Sequence, residues 1–138
     1  MNRITVLIFL LSSVITFANA NELTGNYSAV TETELNVDLI IENNKKVTLK
    51  TELYAVEDGY SEWTKIEKGT WERNKNILTV HLEAGKIITY GIKECLPYSE
   101  FGYKGCSFGL KPTNQNRNGL WFGLWKTEEL KKLWKKKP

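Results

Sequence analysis

Gly69-Thr-Trp-Glu-Arg-Asn-Lys-Asn-Ile-Leu-Thr-Val-His-Leu-Glu-Ala-Gly-Lys-Ile-Ile-Thr-Tyr-Gly-Ile92 divides into three short segments separated by two turns. In the middle segment Leu78, Val80 and Leu82 alternate with Thr79, His81 and Glu83. That is the two-residue period of a strand with one buried face, not the helical period of about 3.6 residues. Asn74-Lys75-Asn76 and Ala84-Gly85 supply the turn residues. The stretch therefore reads as a β-meander, and the segments on either side repeat it.

Upstream, Leu23 to Val30 reads as an opening strand, with Gly25 permitting close packing at its start. In the next strand Leu35, Val37, Leu39 and Ile41 face one way and Asn36, Asp38 and Glu42 the other, before a turn at Asn43-Asn44-Lys45. Val47, Leu49, Thr51, Leu53 and Ala55 form the inward row of a third strand, which Glu57-Asp58-Gly59 ends. A fourth strand, about Glu62 to Arg73, has two conflicting phases, one set by Ile66 and one by Trp71. Gly69 lies between them, which predicts a bulge there.

Downstream, Lys86 to Lys93 is apolar on both faces through Ile87, Ile88, Tyr90 and Ile92. Ser107 to Lys111 predicts a short seventh strand and Pro112 to Asn118 a polar turn. Gly119 to Lys126 then forms a last strand, with Trp121 and Trp125 on one face and Leu120, Phe122 and Leu124 on the other. Thr127 is the expected cap of a terminal helix that has Glu128 and Glu129 in its first turn and lysines in its last. The expected class is all-β: a small antiparallel up-and-down barrel or curled sheet of about eight strands, with a short basic C-terminal helix. With Leu, Val, Ile, Trp and Tyr in the inward rows, such a barrel is either filled or holds one modest apolar ligand.

Residues 1–20 run from a positive start at Arg3 through the apolar stretch Ile4 to Leu11 and end in Ala18-Asn19-Ala20. This order is that of a secretory signal peptide, and cleavage is expected after Ala20. The domain plan is a signal peptide at 1–20, a β-barrel at 21–126 and an amphipathic basic helix or tail at 127–138. Localisation is expected to be periplasmic or secreted. Cys95 and Cys106 are the two cysteines, so one intramolecular disulfide is expected in such a compartment. Closing so short a loop stabilises the fold by about 2–3 kcal/mol.

The chain carries 19 Lys+Arg against 16 Asp+Glu, a net charge of +3. The excess is concentrated in the last thirteen residues, Lys126 to Pro138, with six lysines and two glutamates. A basic tail on a slightly acidic body is not the groove of a nucleic-acid binder, so no nucleic-acid partner is expected.

Gly25-Asn26-Tyr27 in the opening strand, Gly69-Thr70-Trp71, the Asn-Lys-Asn turn and Ile77-Leu78-Thr79-Val80 resemble the small lipocalin-like barrels of bacterial envelope proteins. The nearest resemblance is to the N-terminal domain of NlpE-type lipoproteins, over about Leu23 to Ile92. It implies a β-barrel of the bacterial envelope. That family has a lipid-bearing cysteine at the mature start and a Cys-x-x-Cys after the first strand. Here those places hold Asn21 and the cysteine-free run Val30 to Leu35. The family's copper and envelope-stress associations are therefore not carried over, and no metal site or cofactor is expected.

Catalytic signals are weak. His81, the single histidine, stands between Val80 and Leu82 and should point outward. The chain has no Gly-x-Ser-x-Gly, no His-Glu-x-x-His and no phosphate-cradling glycine loop, so the expectation is not an enzyme. The Cys95–Cys106 loop is the candidate binding element. Tyr98, Phe101 and Tyr103, spaced by Pro97, Gly102 and Gly105, would form a preorganised aromatic tip. The competing reading folds the loop over one barrel end as a plug. Leu130, Leu133 and Trp134 share one side of the terminal helix. That side either packs on the tryptophan row of the last strand or lies on an anionic membrane surface. The expected function is an exported, non-enzymatic binding protein that engages a protein or envelope component through the aromatic loop. The alternative is a carrier of a small apolar ligand in the barrel interior, lined by Leu39, Leu49 and Val80.

Overall fold

The computed structural model describes residues 22–30, 35–53, 62–113 and 122–136. Eight antiparallel strands form a closed barrel in simple chain order: β1 (Gly25–Val30), β2 (Leu35–Ile41), β3 (Lys46–Leu53), β4 (Trp63–Asn74), β5 (Ile77–Leu82), β6 (Ile87–Pro97), β7 (Cys106–Pro112) and β8 (Leu124–Lys126). Closure is made by β1 against β8, with Tyr27 opposite Lys126 and Ser28 opposite Trp125. A closed ring leaves no unpaired strand edge, which an open sheet of this size would have to protect. The barrel form, rather than the curled sheet, is thus the architecture adopted. A terminal helix, α1 (Thr127–Lys135), follows β8 directly.

The alternation read from β2, β3 and β5 is what points their leucines and valines into the barrel. Val37, Leu39, Ile41, Val47, Leu49, Leu78, Val80, Leu82, Ile88, Tyr90, Leu110 and Leu124 are buried in one core with Tyr27 and Trp71. Each such side chain contributes about 1.5–3 kcal/mol by leaving water. Ala55, the turn at Glu57-Asp58-Gly59, Trp121 and the signal sequence lie outside the described residues.

One end of the barrel is sealed by the segment leading into β1. Leu23 is fully buried there, and the Tyr27 hydroxyl donates to its carbonyl at 2.7 Å. The Lys126 ammonium donates to the Glu22 carbonyl at 2.9 Å. At the same end Trp71 Nε1 donates to the Glu42 carbonyl at 2.9 Å, and Lys45 Nζ sits 3.9 Å from the Trp71 ring centroid.

Four local expectations are corrected. Gly25 does not serve close packing, since a Cβ there would meet nothing within 4 Å; its φ of 136° is a conformation that only glycine adopts readily. Gly69 is not a bulge: pairing with β3 runs unbroken through it, Val47 opposite Gly69, and the ladder with β5 starts at it in register, Gly69 opposite Leu82. Instead β5 approaches so closely that a Cβ at Gly69 would collide with the His81 carbonyl. The phase set by Trp71 holds along β4, which leaves Ile66 outward and 59 % exposed. Thr127 makes no side-chain cap bond; it is the first helical residue, and its hydroxyl bonds Ser28 Oγ at 2.7 Å. Ser28 spends its one proton on Asp38 Oδ1 at 2.6 Å, so Thr127 is the donor of the pair.

Candidate functional site

The bulge of this barrel lies in β6. Lys93 pairs with Gly109 and Leu96 with Ser107, so three steps on β6 match two on β7. One extra residue reverses the side-chain phase. Ile88, Tyr90 and Ile92 therefore point into the barrel, whereas Leu96 lies on its outer wall. There it joins Trp125, which faces outward from β8 because its neighbour Leu124 faces inward. Gly109 makes room for this contact. A Cβ at that position would stand 2.6 Å from Leu96 Cδ2 and 2.8 Å from the Leu124 carbonyl oxygen.

A second hydrophobic cluster is built on this outer wall, separate from the core in the barrel axis. Leu96, Tyr98, Trp125 and Leu130 are its buried members, with Phe101, Tyr103 and Leu133 packed at its margin. Trp125 is the centre: its Nε1 donates to the Leu96 carbonyl at 3.1 Å, and Phe101 meets its ring edge-on at a centroid distance of 5.0 Å. Leu130 brings α1 down onto it and is 0 % exposed.

The disulfide loop is held in shape by several constraints. Cys95 and Cys106 are joined, with 5.0 Å between their Cα atoms. The Tyr98 amide donates to the Gly105 carbonyl across the loop base at 3.0 Å. Ser99–Phe101 makes a 3-10 turn that Gly102 ends at φ 73°, and Gly105 takes φ 99°. These left-handed positions explain both glycines. Tyr98 is buried, 7 % exposed, while Phe101 and Tyr103 are half-buried. The loop thus neither stands free as a tip nor plugs a barrel end; it lies along the wall, and α1 lies beside it. Leu133 is half-buried against the same cluster, and Trp134 is 43 % exposed. Five of the six predicted side chains of loop and helix, Tyr98, Phe101, Tyr103, Leu130 and Leu133, are thereby brought into one platform, of which Trp134 is not a member.

Two further features were not foreseen. Lys65 and Glu67 occupy inward positions of β4, opposite Thr51 and Leu49. They lie at the barrel end away from the Leu23 seal, where Lys86 joins them from the turn between β5 and β6. Glu67 receives Lys65 at 3.1 Å and Lys86 at 3.3 Å, its side chain only 10 % exposed. Burial alone would raise its carboxyl pKa, but the hydrogen bonds and charges of the two lysines outweigh it and hold the carboxyl below the usual range. The signal available in the sequence was the phase of Trp71, which places Glu67 inside. The second feature is an open groove of about 630 Å³ on the outer wall, lined by Glu42, Lys46, Thr48, Lys68, Thr70 and His81 among others.

His81 points outward as expected and contacts Glu72 Oε1 at 3.1 Å. Among the described residues no group of three His, Cys, Asp or Glu stands close enough to hold a metal ion. In the barrel axis the Tyr90 hydroxyl is buried without a hydrogen-bond partner among the described residues, and burial pushes its pKa upward. Comparison of the chain with protein-family models, with curated proteins and with solved structures found no match.

Proposed function

We propose that this chain is an exported, non-enzymatic binding protein that engages an envelope or secreted component through the platform formed by the disulfide loop and α1. The observation that carries the reading is the second cluster itself. A barrel already closed around a core of its own does not require an outer hydrophobic body, yet one is built, and it fixes a loop and a helix side by side. Rigid aromatic side chains at the margin of such a body give contact area with little ordering cost on binding. Export is supported by the residue order of positions 1–20 and by the disulfide, a bond that persists in oxidising compartments.

The test is site-specific photo-crosslinking in the exported protein. A photoreactive residue at Lys104, in the loop, is expected to label a discrete envelope component; the same probe at Thr64, on the outer face of β4, is expected not to. Equal labelling from both positions, or none from Lys104, refutes the platform.

One observation favours the carrier alternative, the Tyr90 hydroxyl buried in the axis without a hydrogen-bond partner among the described residues. Leu39, Leu49 and Val80 are fully buried within the same core, so a ligand there would have to displace packed side chains. Native mass spectrometry of gently purified protein decides this: a retained mass that is lost on denaturation supports a carrier, and a clean chain mass removes it.

A further inference from the structure

We infer that the partner of the platform is an anionic phospholipid surface, met by the outer face of α1. This rests on the platform reading and adds the chemistry of what it binds. Docking of α1 on the barrel uses Leu130 and, in part, Leu133. It leaves Trp134, 43 % exposed, as the most exposed large apolar side chain of the helix. On a helix, Lys131 and Lys135 are the positions flanking Trp134 on its solvent side. Lys131 and Lys132 are paired to Glu128 at 3.4 Å and Glu129 at 3.0 Å. Lys135 and Lys136 have no ion pair among the described residues.

An exposed indole rimmed by lysines suits the interface of an anionic bilayer. The ring sits at headgroup depth while the ammonium groups reach lipid phosphates. Charge distribution also gives an orientation. Lys126 to Pro138 is net +4 in a chain of net +3, so everything before it is net −1. An anionic surface attracts the helix end and repels the rest. Nine residues span about 14 Å, far short of a bilayer's apolar core, so α1 lies on the surface and does not cross it.

The experiment is vesicle co-sedimentation of the protein purified after export. Vesicles of phosphatidylglycerol and phosphatidylcholine in equal parts are compared with pure phosphatidylcholine. Preferential binding to the anionic vesicles is expected, weakening with salt and falling at least about tenfold in Lys135→Glu/Lys136→Glu. That variant changes only exposed positions, so its melting temperature should fall by no more than a few degrees, from the charge reversal at the helix C-terminus. Trp134→Phe should remove the fluorescence quenching produced by brominated lipids. Equal binding to both vesicle types, or undiminished binding by the double variant, overturns the lipid assignment. If vesicles fail while the Lys104 crosslinker still labels a protein, the platform stands and the lipid partner falls; if Lys104 labels nothing, the platform itself has failed.

Discussion

Leu130→Ala separates a helix that belongs to the fold from one that merely follows it. Leu130 is fully buried in the cluster that Trp125 forms with Leu96 and the aromatics of the disulfide loop. The substitution deletes three carbons, worth about 2.4 kcal/mol at roughly 0.8 kcal/mol each. It also leaves a cavity beside an indole held by its hydrogen bond to the Leu96 carbonyl, which limits collapse. A total of about 3–4 kcal/mol is expected, within the usual range for buried leucines. Equilibrium urea unfolding followed by tryptophan fluorescence measures it, and the midpoint temperature should fall by roughly 10–20 °C. Trp134→Ala, on the exposed edge of the same helix, is the control and should cost under about 1 kcal/mol. A cost below about 0.5 kcal/mol for Leu130→Ala, or one no larger than the control's, would mean that Leu130 does not hold the helix to the wall. In that case the helix contributes nothing to the stability of the fold.

Other perturbations test other parts of the structure. Gly69→Ala should abolish or severely impair folding, because the added methyl meets the β5 backbone, whereas Gly91→Ala, whose Cβ would find ordinary 3.7 Å contacts, should be tolerated; circular dichroism of the purified variants compares them. Lys75 holds φ 53° in the turn between β4 and β5, so Lys75→Gly should stabilise by about 1 kcal/mol in chemical denaturation. Because the folded-state pKa of Glu67 lies below its ordinary value, its contribution is complete above the normal glutamate range and is lost as pH falls through the lowered value. Glu67→Gln should therefore be less stable at neutral pH by about 1–2 kcal/mol and show a flatter decline on acidification, read from urea midpoints across pH.

How much could be read in advance depends on which interactions are local. The phases of β2, β3 and β5 were legible because each strand buries one face and wets the other, and alternation records that directly. The β4 phase conflict was visible, but its resolution was not. Ile66 looked like core, and what admits Glu67 in its place is a pair of lysines, one of them from a turn nineteen residues on. Gly69 marked an unusual backbone, although the reason was the approach of β5 rather than an extra residue. The bulge in β6 has no glycine to announce it, and it falls where the sequence reading ended the strand at Lys93 and began the loop at Cys95. Without that bulge, Leu96 would have been counted inside the barrel, and the partner of Trp125 could not be named. The aromatic loop was legible as a unit through its cysteines and glycines. Its orientation was not, because that depends on the phase reversal and on Gly109 across the sheet.

The extra residue in β6 also gives the protein two bodies that can change independently. Up to Ile92 the strand answers to the barrel axis, where every substitution disturbs neighbours all around the ring. From Leu96 onward it answers to a patch on one side, bounded by a covalent loop and a single helix. Phe101, Tyr103 and Leu133 at the margin of that patch take no part in strand pairing, so replacing them alters the outer surface alone, whereas Leu96 and Trp125 belong to both bodies and tie the patch to the ring.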